Sequence, residues 1–263
     1  MLILLPPSEA KQTPAVGHVF DMNSLSFSEL NSIRELVLAA LEKVSSSKDA
    51  HRELKVSEKL SDQILANTRI RRAVAGPANQ VYTGVLYSAG NLADLTAAAH
   101  HSRALVFSAL WGAAGLFDAI APYRLSITAP LPDVAPLARW WRPHLAAALD
   151  PIAADELVVD CRSSGYQAMW RPPAAATVVT VEVVRVAGTK RTVVSHHAKY
   201  LRGVLAGALL RSGAPEPKTS EGLADYAYRI AADHGPVPTG ETVRGVELNR
   251  SRGSDVLTFV TAM

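Results

Sequence analysis

The chain opens with an apolar run, residues 1–5, that ends abruptly at two prolines. This run is far shorter than the roughly 20 apolar residues that cross a bilayer, and it lacks the charged leader of a signal peptide. We therefore interpret it as a short buried strand. Ser8, Glu9 and Lys11 follow at once, and ligands of mixed α/β proteins commonly bind where buried strands end. These three are candidate site residues, and the alternative is a first strand with an ordinary turn.

Composition favours a cytoplasmic globular protein with an anionic partner. The 263 residues are 48% hydrophobic, enough for a full core, and the single cysteine, Cys161, permits no intramolecular disulfide. Residues 100–211 hold 12 Lys and Arg against 7 Asp and Glu, although the whole chain carries only +3. A basic middle segment is typical of proteins that bind nucleic acid or a phosphorylated small molecule. No membrane association is expected.

Hydrophobic periodicity predicts a mixed α/β (α+β) fold with a central mixed sheet flanked by helices. A capping box at Ser26 and Glu29 is predicted to start the first long helix. No repeat or long linker interrupts the sequence, so we expect a single domain over residues 1–263. The predicted strands cover residues 81–86, 105–107, 157–159, 177–186, 191–195 and 255–260, and the predicted helices cover residues 30–44, 54–66, 197–211 and 220–232.

The helix predicted for residues 197–211 carries a candidate anion site. Lys199 and Arg202 fall on the face opposite its apolar stripe, near the helix start, where cations oppose the helix macrodipole. A bound phosphate or carboxylate would remove this conflict, with Ser195 as the N-terminal cap. The alternative is that both cations are solvated on an exposed face. The apolar stripe, which is predicted to face the core, consists of Tyr200, Leu201, Val204, Leu205 and Leu209.

Arg124 is a second candidate, because it lies between an aromatic and an aliphatic residue after a proline. A half-buried guanidinium normally pairs with a carboxylate or a phosphate, since an unpaired one would cost several kcal/mol. Arg124 therefore either binds an anionic ligand or forms a structural ion pair with Asp118 or Asp160.

A third group of polar residues follows the strand predicted for residues 157–159. Asp160 is a candidate base, Tyr166 a candidate proton donor, and Ser163 a candidate ligand-binding hydroxyl. No histidine is placed to activate Ser163 or Cys161 as a nucleophile, and the glycine-flanked nucleophile elbow is absent. The alternative interpretation is a polar turn at a strand end.

No metal or cofactor is predicted. The pairs at His100 and at His196 are adjacent histidines without further ligands at suitable spacing. No P-loop or dinucleotide fingerprint occurs. Trp140 and Trp141 either stack on bases or pack in the core.

Four motifs resemble those of the YaaA family of peroxide stress proteins. They occur in the family's order and extend over nearly the whole sequence. The motifs are the Pro-Pro-Ser-Glu-x-Lys segment ending at Lys11, Val-Tyr-Thr-Gly-Val at residues 81–85, the long signature at residues 108–125, and Ser-x-x-x-Lys-x-x-Arg-Gly at residues 195–203.

The resemblance implies a cytoplasmic protein that limits peroxide damage, in part by lowering free iron. It also implies that a basic cleft binds DNA and perhaps RNA, in a fold likened to proteins with a helix-hairpin-helix element. Residues 60–72, where that element is sought, lack a Gly-x-Gly turn but offer three arginines to phosphates. Asp160 stands where many relatives carry asparagine, and Ala109 replaces a glycine.

Two hypotheses follow. In the first, a stress protein binds nucleic acid phosphates; in the second, an enzyme uses Glu9, Asp160 or Tyr166 as acid–base groups on a nucleotide or another phosphorylated small molecule. Both predict that Glu9, Lys11, Arg124, Asp160 and Lys199 converge in one cleft. The residues predicted to bind the nucleic acid or anion are Ser8, Lys11, Tyr82, Arg124, Ser163, Ser195, Lys199 and Arg202.

Overall fold

The computed structural model describes residues 1–97, 103–211, 215–251 and 253–263. The strands are β1 (Leu2–Leu5), β2 (His18–Val19), β3 (Val74–Pro77), β4 (Arg103–Ser108), β5 (Gly112–Gly115), β6 (Ala119–Ile120), β7 (Leu157–Asp160), β8 (Thr177–Ala187), β9 (Lys190–Val193), β10 (Thr242–Asn249) and β11 (Asp255–Ala262). The helices are α1 (Asn31–Ser45), α2 (Ala50–Glu53), α3 (Ser61–Asn67), α4 (Ala78–Val81), α5 (Val85–Ala89), α6 (Leu137–Ala153), α7 (Ser164–Gln167), α8 (Ser195–Arg211) and α9 (Ser220–Asp233).

The strands form a large mixed sheet of eight strands and a small sheet of three. The order in the large sheet is β10, β11, β8, β7, β1, β4, β5, with β9 paired to β8. In the small sheet β3 lies between β2 and β6. The predicted mixed α/β fold class is therefore confirmed.

Strand β1 lies at the centre of the large sheet, as its apolar sequence predicts. All four of its residues are completely buried. It runs parallel to both neighbours, β4 and β7. Because the carboxyl ends of parallel strands meet at one edge of a sheet, the segments after Leu5, Ser108 and Asp160 emerge close together.

Most predicted strands are confirmed. The predictions at residues 105–107, 157–159 and 255–260 lie within β4, β7 and β11, and the predicted hairpin is formed by β8 and β9. Two elements escape the sequence pattern. A register shift between Val243 and Gly245 breaks the alternation of β10, and α6 contains two prolines in its interior.

The strand predicted for residues 81–86 is wrong. That segment holds the last residue of α4 and the first residues of α5, with Gly84 between them. A short apolar run does not distinguish a strand from pieces of buried helix. The helix predicted for residues 54–66 is also wrong over its first half, because α2 ends at Glu53 and α3 begins only at Ser61.

The predicted capping box is wrong as well. The hydroxyl and the backbone N–H of Ser26 donate to the carboxylate of Asp118, at 2.7 and 2.8 Å, instead of capping a helix. Phe27 then turns the chain with a positive φ of 62°, and α1 begins at Asn31. A partner distant in sequence therefore overrides the local capping signal.

Helix α8 is covered on two faces, whereas the sequence predicts one buried and one open face. Gly203 packs against α5, where an added Cβ would lie 2.1 Å from the carbonyl oxygen of Leu86. Only a glycine permits this approach. Lys199 is exposed. None of the helices in the described part of the chain is long and apolar enough to cross a membrane. The predicted core positions of α8 that are confirmed as buried are Leu201, Leu205 and Leu209.

A candidate site where β1 ends

The turn that follows β1 is fixed by backbone hydrogen bonds to a distant segment. Gln12 N–H donates to the Val81 carbonyl at 2.9 Å, and Thr83 N–H donates to the Ala10 carbonyl at 3.1 Å. These bonds place Lys11 opposite Tyr82. The scaffold for Lys11 therefore comes from two segments about seventy positions apart in the sequence, held by main-chain bonds that do not depend on side-chain identity.

Ser8 is held between this turn and the start of α5. An added Cβ at Gly84 would lie only 2.2 Å from the Ser8 hydroxyl oxygen, so glycine is required there by close approach. The hydroxyl of Tyr87 donates to the Pro6 carbonyl at 2.9 Å. Together these contacts bury Ser8 and fix the direction in which the chain leaves β1.

The Lys11 ammonium lies against two aromatic rings and has few polar partners. Its Nζ donates to the carbonyl of Ser8 at 2.7 Å and lies 4.3 Å from the ring centroid of Tyr123 and 5.4 Å from that of Tyr82. Burial lowers the pKa of Lys11 to about 8, with Arg124 lowering it further and Glu9 opposing the shift. Near neutral pH a sizeable fraction of this amine is uncharged.

Three buried hydroxyl groups form a chain beside Lys11. The Tyr82 and Tyr123 oxygens are 2.9 Å apart, and the Tyr123 oxygen is 2.7 Å from Ser108 Oγ. Ser108 Oγ also accepts backbone N–H bonds from Leu110 and Trp111, at 3.1 and 3.0 Å.

The direction of this chain follows from the valence of Ser108. A hydroxyl has one proton and two acceptor lone pairs, and the two N–H bonds use both lone pairs. Ser108 therefore donates its proton to Tyr123. Tyr123 accepts this bond, and the Tyr82 oxygen is the other hydroxyl recorded beside it among the described residues. We assign the Tyr123 proton to that oxygen, which leaves the Tyr82 proton at the free end. Burial raises the pKa of both tyrosines well above the usual value, so both remain donors.

Arg124 is paired with Glu9, and not with Asp118 or Asp160, the two partners that the alternative interpretation considers. Its Nη1 lies 3.2 Å from Glu9 Oε2 and also donates to the Glu9 carbonyl at 3.2 Å. The Glu9 side chain is 55% exposed, whereas that of Arg124 is 19% exposed. An ion pair this exposed is weak, typically worth ~0 to 1 kcal/mol, so the carboxylate can move aside.

The backbone of Arg124 is clamped by a buried asparagine that the sequence analysis misses. Asn67, the last residue of α3, accepts from Arg124 N–H at 2.8 Å and donates to the Arg124 carbonyl at 3.0 Å. Its amide also donates to Ser45 Oγ. The sequence shows only an asparagine near the end of a helical segment, and this does not reveal its burial or a partner 57 positions away.

Tyr166 belongs to the same neighbourhood. Burial raises the pKa of its hydroxyl well above the usual value, and Tyr123 and Glu9 are close enough to add to that shift. The predicted role of Tyr166 as a donor is consistent with a phenol that stays protonated. Ser163, in contrast, is exposed and makes no side-chain bond to cap the four-residue α7.

Asp160 makes a buried ion pair with Arg162. One carboxylate oxygen accepts from Arg162 Nε at 2.9 Å and the other from Nη2 at 2.8 Å. The guanidinium also donates to the carbonyls of Trp170 and Tyr166 and lies 4.1 Å from the Phe107 ring centroid. With these bonds filled, the contacts of Asp160 are those of a structural ion pair, and its predicted role as a base stays a prediction.

Lys199 and Arg202 of α8 have no recorded contact with Lys11 among the described residues. Arg202 is half-buried and its Nε donates to the Val181 carbonyl at 2.7 Å. Lys199 is exposed and makes no ion pair within the described residues. The side chains of Ser195 and of the adjacent His196 and His197 lie outside the described part of the structure, as do His100 and His101. The predicted site residues that the structure brings together are Ser8, Glu9, Lys11, Tyr82, Arg124 and Tyr166.

A cleft of about 970 Å³ opens beside the Asp160–Arg162 pair. Its walls come from the loop around Arg171 and from the residues that precede β11, and Thr180 lies along it. Among the described residues, no group of three or more His, Cys, Asp or Glu side chains is arranged to hold a metal ion.

Comparisons with known proteins give the family. A family model described as "Peroxide stress protein YaaA" matches residues 1–234. The chain is 40% identical over 243 residues to the UPF0246 protein SCO2297 of Streptomyces coelicolor, which covers 89% of this chain and 93% of that protein. It is 41% identical over 232 residues to the UPF0246 protein CE1889 of Corynebacterium efficiens, which covers 86% of this chain and 91% of that protein. The chain therefore belongs to the YaaA family of peroxide stress proteins.

Proposed function

We propose that this protein acts in the cytoplasm during peroxide stress, where it binds nucleic acid at the site around Lys11 and Arg124, protects DNA and limits free iron. Family membership supports the stress role. The binding role rests on one observation: two cations from distant segments lie close together, Lys11 on a turn that backbone bonds hold in place and Arg124 on a backbone that Asn67 clamps. Phosphate contacts from such cations provide much of the affinity for nucleic acid.

The contacts of Arg124 suit a phosphate ligand. Its backbone is clamped by Asn67, while the one partner recorded for its guanidinium within the described residues is Glu9, whose side chain is 55% exposed. A phosphate can replace the Glu9 carboxylate. The carboxylate is planar and the phosphate is tetrahedral, but both present two oxygens that accept the paired N–H bonds of an arginine. In this proposal Glu9 occupies the anion position until the ligand arrives.

Protection against peroxide is expected to come from nucleic-acid binding at this site and not from oxidation of a thiol. Cys161, the one cysteine of the sequence, is completely buried. Burial raises the pKa of its thiol to about 12. Because the thiolate is the form that peroxide oxidises, Cys161 is poorly suited to sensing peroxide.

Binding of labelled duplex DNA across a salt series tests the proposal. We expect log Kd to rise linearly with log salt from about 50 to 200 mM for the wild type. Arg124→Ala should weaken binding by roughly tenfold and reduce the salt slope by about 1, because one phosphate contact is lost. Lys199→Ala tests whether the exposed cation of α8 belongs to the same surface.

Arg139→Ala is the matched control, since Arg139 is an exposed cation on α6 without a recorded partner among the described residues. It should leave both Kd and slope unchanged. Equal Kd and slope for Arg124→Ala and Arg139→Ala would remove the site from the binding surface.

A second candidate function is supported by the hydroxyl chain that ends at Tyr82 beside Lys11. Ordered donors next to a partly uncharged amine are typical of enzymes that act on small molecules. The substrate would be a nucleotide or another phosphorylated metabolite. Displacement of labelled DNA by one nucleotide at low concentration, but not by others, would favour this enzyme.

A further inference from the structure

Lys11 has the environment of a reactive amine. An ammonium group has three N–H bonds, and the only acceptor recorded for Lys11 among the described residues is the Ser8 carbonyl. No carboxylate of the described residues lies within ion-pair distance of its Nζ, although Glu9 is near. Two phenol rings cover it. A lysine that served only to contact phosphate would be expected in an exposed position, where its ammonium group is hydrated and fully charged and its side chain is flexible.

Burial favours the uncharged amine, which is the nucleophilic form of lysine, and it outweighs the attraction of the two ring faces for the ammonium. With a pKa of about 8, roughly a tenth of Lys11 is uncharged at pH 7. An ordinary exposed lysine has less than roughly 0.1% in that form at the same pH. The charged groups that face Lys11 are Glu9 and Arg124, and the titratable phenols against it are Tyr82 and Tyr123.

We propose that Lys11 is a catalytic nucleophile whose Nζ attacks the carbonyl carbon of an aldehyde or ketone that also carries a phosphate or carboxylate group. The inference rests on the second candidate function, because it names the chemistry and the substrate class at that site. The anionic group of the substrate displaces the Glu9 carboxylate and binds the Arg124 guanidinium. The carbonyl oxygen accepts a hydrogen bond from Tyr82, the free end of the chain that begins at Ser108.

The step is balanced without an oxidant or a metal. The Nζ lone pair forms the new C–N bond while the carbonyl π pair moves to oxygen, which takes a proton from Tyr82. A proton then leaves nitrogen and restores the phenol through solvent. The C–O bond breaks as the nitrogen lone pair forms the C=N bond, and the oxygen takes a second proton from Tyr82 and leaves as water. The remaining N–H proton returns through solvent to the phenol. The products are an imine at Lys11 and one water molecule. Tyr82 suits this role because burial keeps it protonated.

Reductive trapping with pyridoxal 5′-phosphate tests the proposal, because this probe carries both an aldehyde and a phosphate. The full protein is incubated with a substoichiometric amount near pH 7, reduced with borohydride, and mapped by peptide mass spectrometry. We expect Lys11 to be labelled at least about tenfold more than the exposed Lys199, because part of the Lys11 amine is uncharged at this pH. Labelling of Lys11 should level off with pH near 8.

Pyridoxal without the phosphate is the second probe. Arg124→Gln should reduce labelling by the phosphate probe about tenfold and leave labelling by pyridoxal unchanged, because only the first uses the guanidinium. Equal labelling of Lys11 and Lys199 in the wild type, or labelling of Lys11 that ignores Arg124, would overturn the proposal. Binding of duplex DNA by the wild type is measured in parallel. If the wild type does not bind DNA but its Lys11 is trapped by the phosphate probe, the nucleic-acid function fails and the imine proposal stands.

Discussion

Two cations follow neighbouring parallel strands, Arg162 fully buried and Lys11 half-buried, and their surroundings differ sharply. Arg162, after β7, has two bonds to Asp160, two to backbone carbonyls and an aromatic ring beneath its guanidinium. Lys11, after β1, has two aromatic rings but only one recorded hydrogen-bond acceptor within the described residues. Both positions withdraw charge from water, but four of the five guanidinium N–H bonds of Arg162 have recorded acceptors, against one of the three N–H bonds of Lys11.

This difference separates a structural charge from a functional one. A buried ion pair whose donors are nearly all hydrogen-bonded holds elements together, and removing one partner causes a large loss of unfolding free energy. A lysine withdrawn from water with one hydrogen-bond acceptor lowers the stability of the fold at neutral pH, and such sites are characteristic of binding and catalysis. The following variants test whether Arg162 and Lys11 fall into these two classes.

The largest effect is expected for Arg162→Met. It leaves Asp160 buried without its partner, which typically costs about 3 to 5 kcal/mol of unfolding free energy. Urea unfolding followed by circular dichroism measures it. The double variant Arg162→Met with Asp160→Leu should recover much of the loss, since no charge is then buried. A loss below about 1 kcal/mol in the single variant would contradict the structural assignment.

Lys11→Met should raise stability at neutral pH. Burial lowers the pKa of Lys11 to about 8 in the folded protein, against 10.5 for the free side chain. The folded state therefore binds fewer protons than the unfolded state between these values, so wild-type stability increases with pH across that window. We expect Lys11→Met to be more stable than the wild type by on the order of 2 kcal/mol at pH 7.

The gain from Lys11→Met should shrink as the pH rises from about 8 and approach zero above 10.5, where both states of the wild type have lost the proton. Chemical unfolding at several pH values gives the difference directly, and Lys199→Met is the control because its side chain is exposed. A variant that is less stable than the wild type at pH 7 would show that Lys11 is a structural cation like Arg162.

Tyr123→Phe should have an intermediate effect. It removes the hydroxyl that joins Ser108 to Tyr82, two hydrogen bonds that together contribute roughly 1 to 3 kcal/mol. Tyr87→Phe is the matched control, because it removes one buried hydroxyl that donates to a backbone carbonyl outside this chain. Thermal unfolding compares the two. If Lys11 reacts as proposed, Tyr123→Phe also slows its trapping, whereas Tyr87→Phe does not.

The sequence predicts the strand and the polar residues after it, but not what surrounds them. The apolar run at residues 1–5 and the adjacent Lys11 are local signals. The run is confirmed as strand β1, and the role of Lys11 in a binding site stays a prediction. The partner of Arg124 and its Asn67 clamp come from other parts of the chain, and no local pattern encodes them. The strand predicted at residues 81–86 fails for the related reason that tertiary packing decides between short helix and strand.

The smallest effect on stability is expected for Glu9→Gln, and it sharpens the comparison most. The pair with Arg124 is largely exposed, so its loss should change the unfolding free energy by less than ~1 kcal/mol. Glu9 raises the pKa of Lys11, and its neutralisation therefore lowers that pKa and increases the uncharged fraction at pH 7. Trapping of Lys11 at this pH should become faster, and phosphate ligands should bind more tightly because Arg124 is no longer occupied. Slower trapping with weaker phosphate binding would instead show that Glu9 orients the ligand. The distinction between Lys11 and Arg162 would then depend only on how many hydrogen-bond acceptors each cation has.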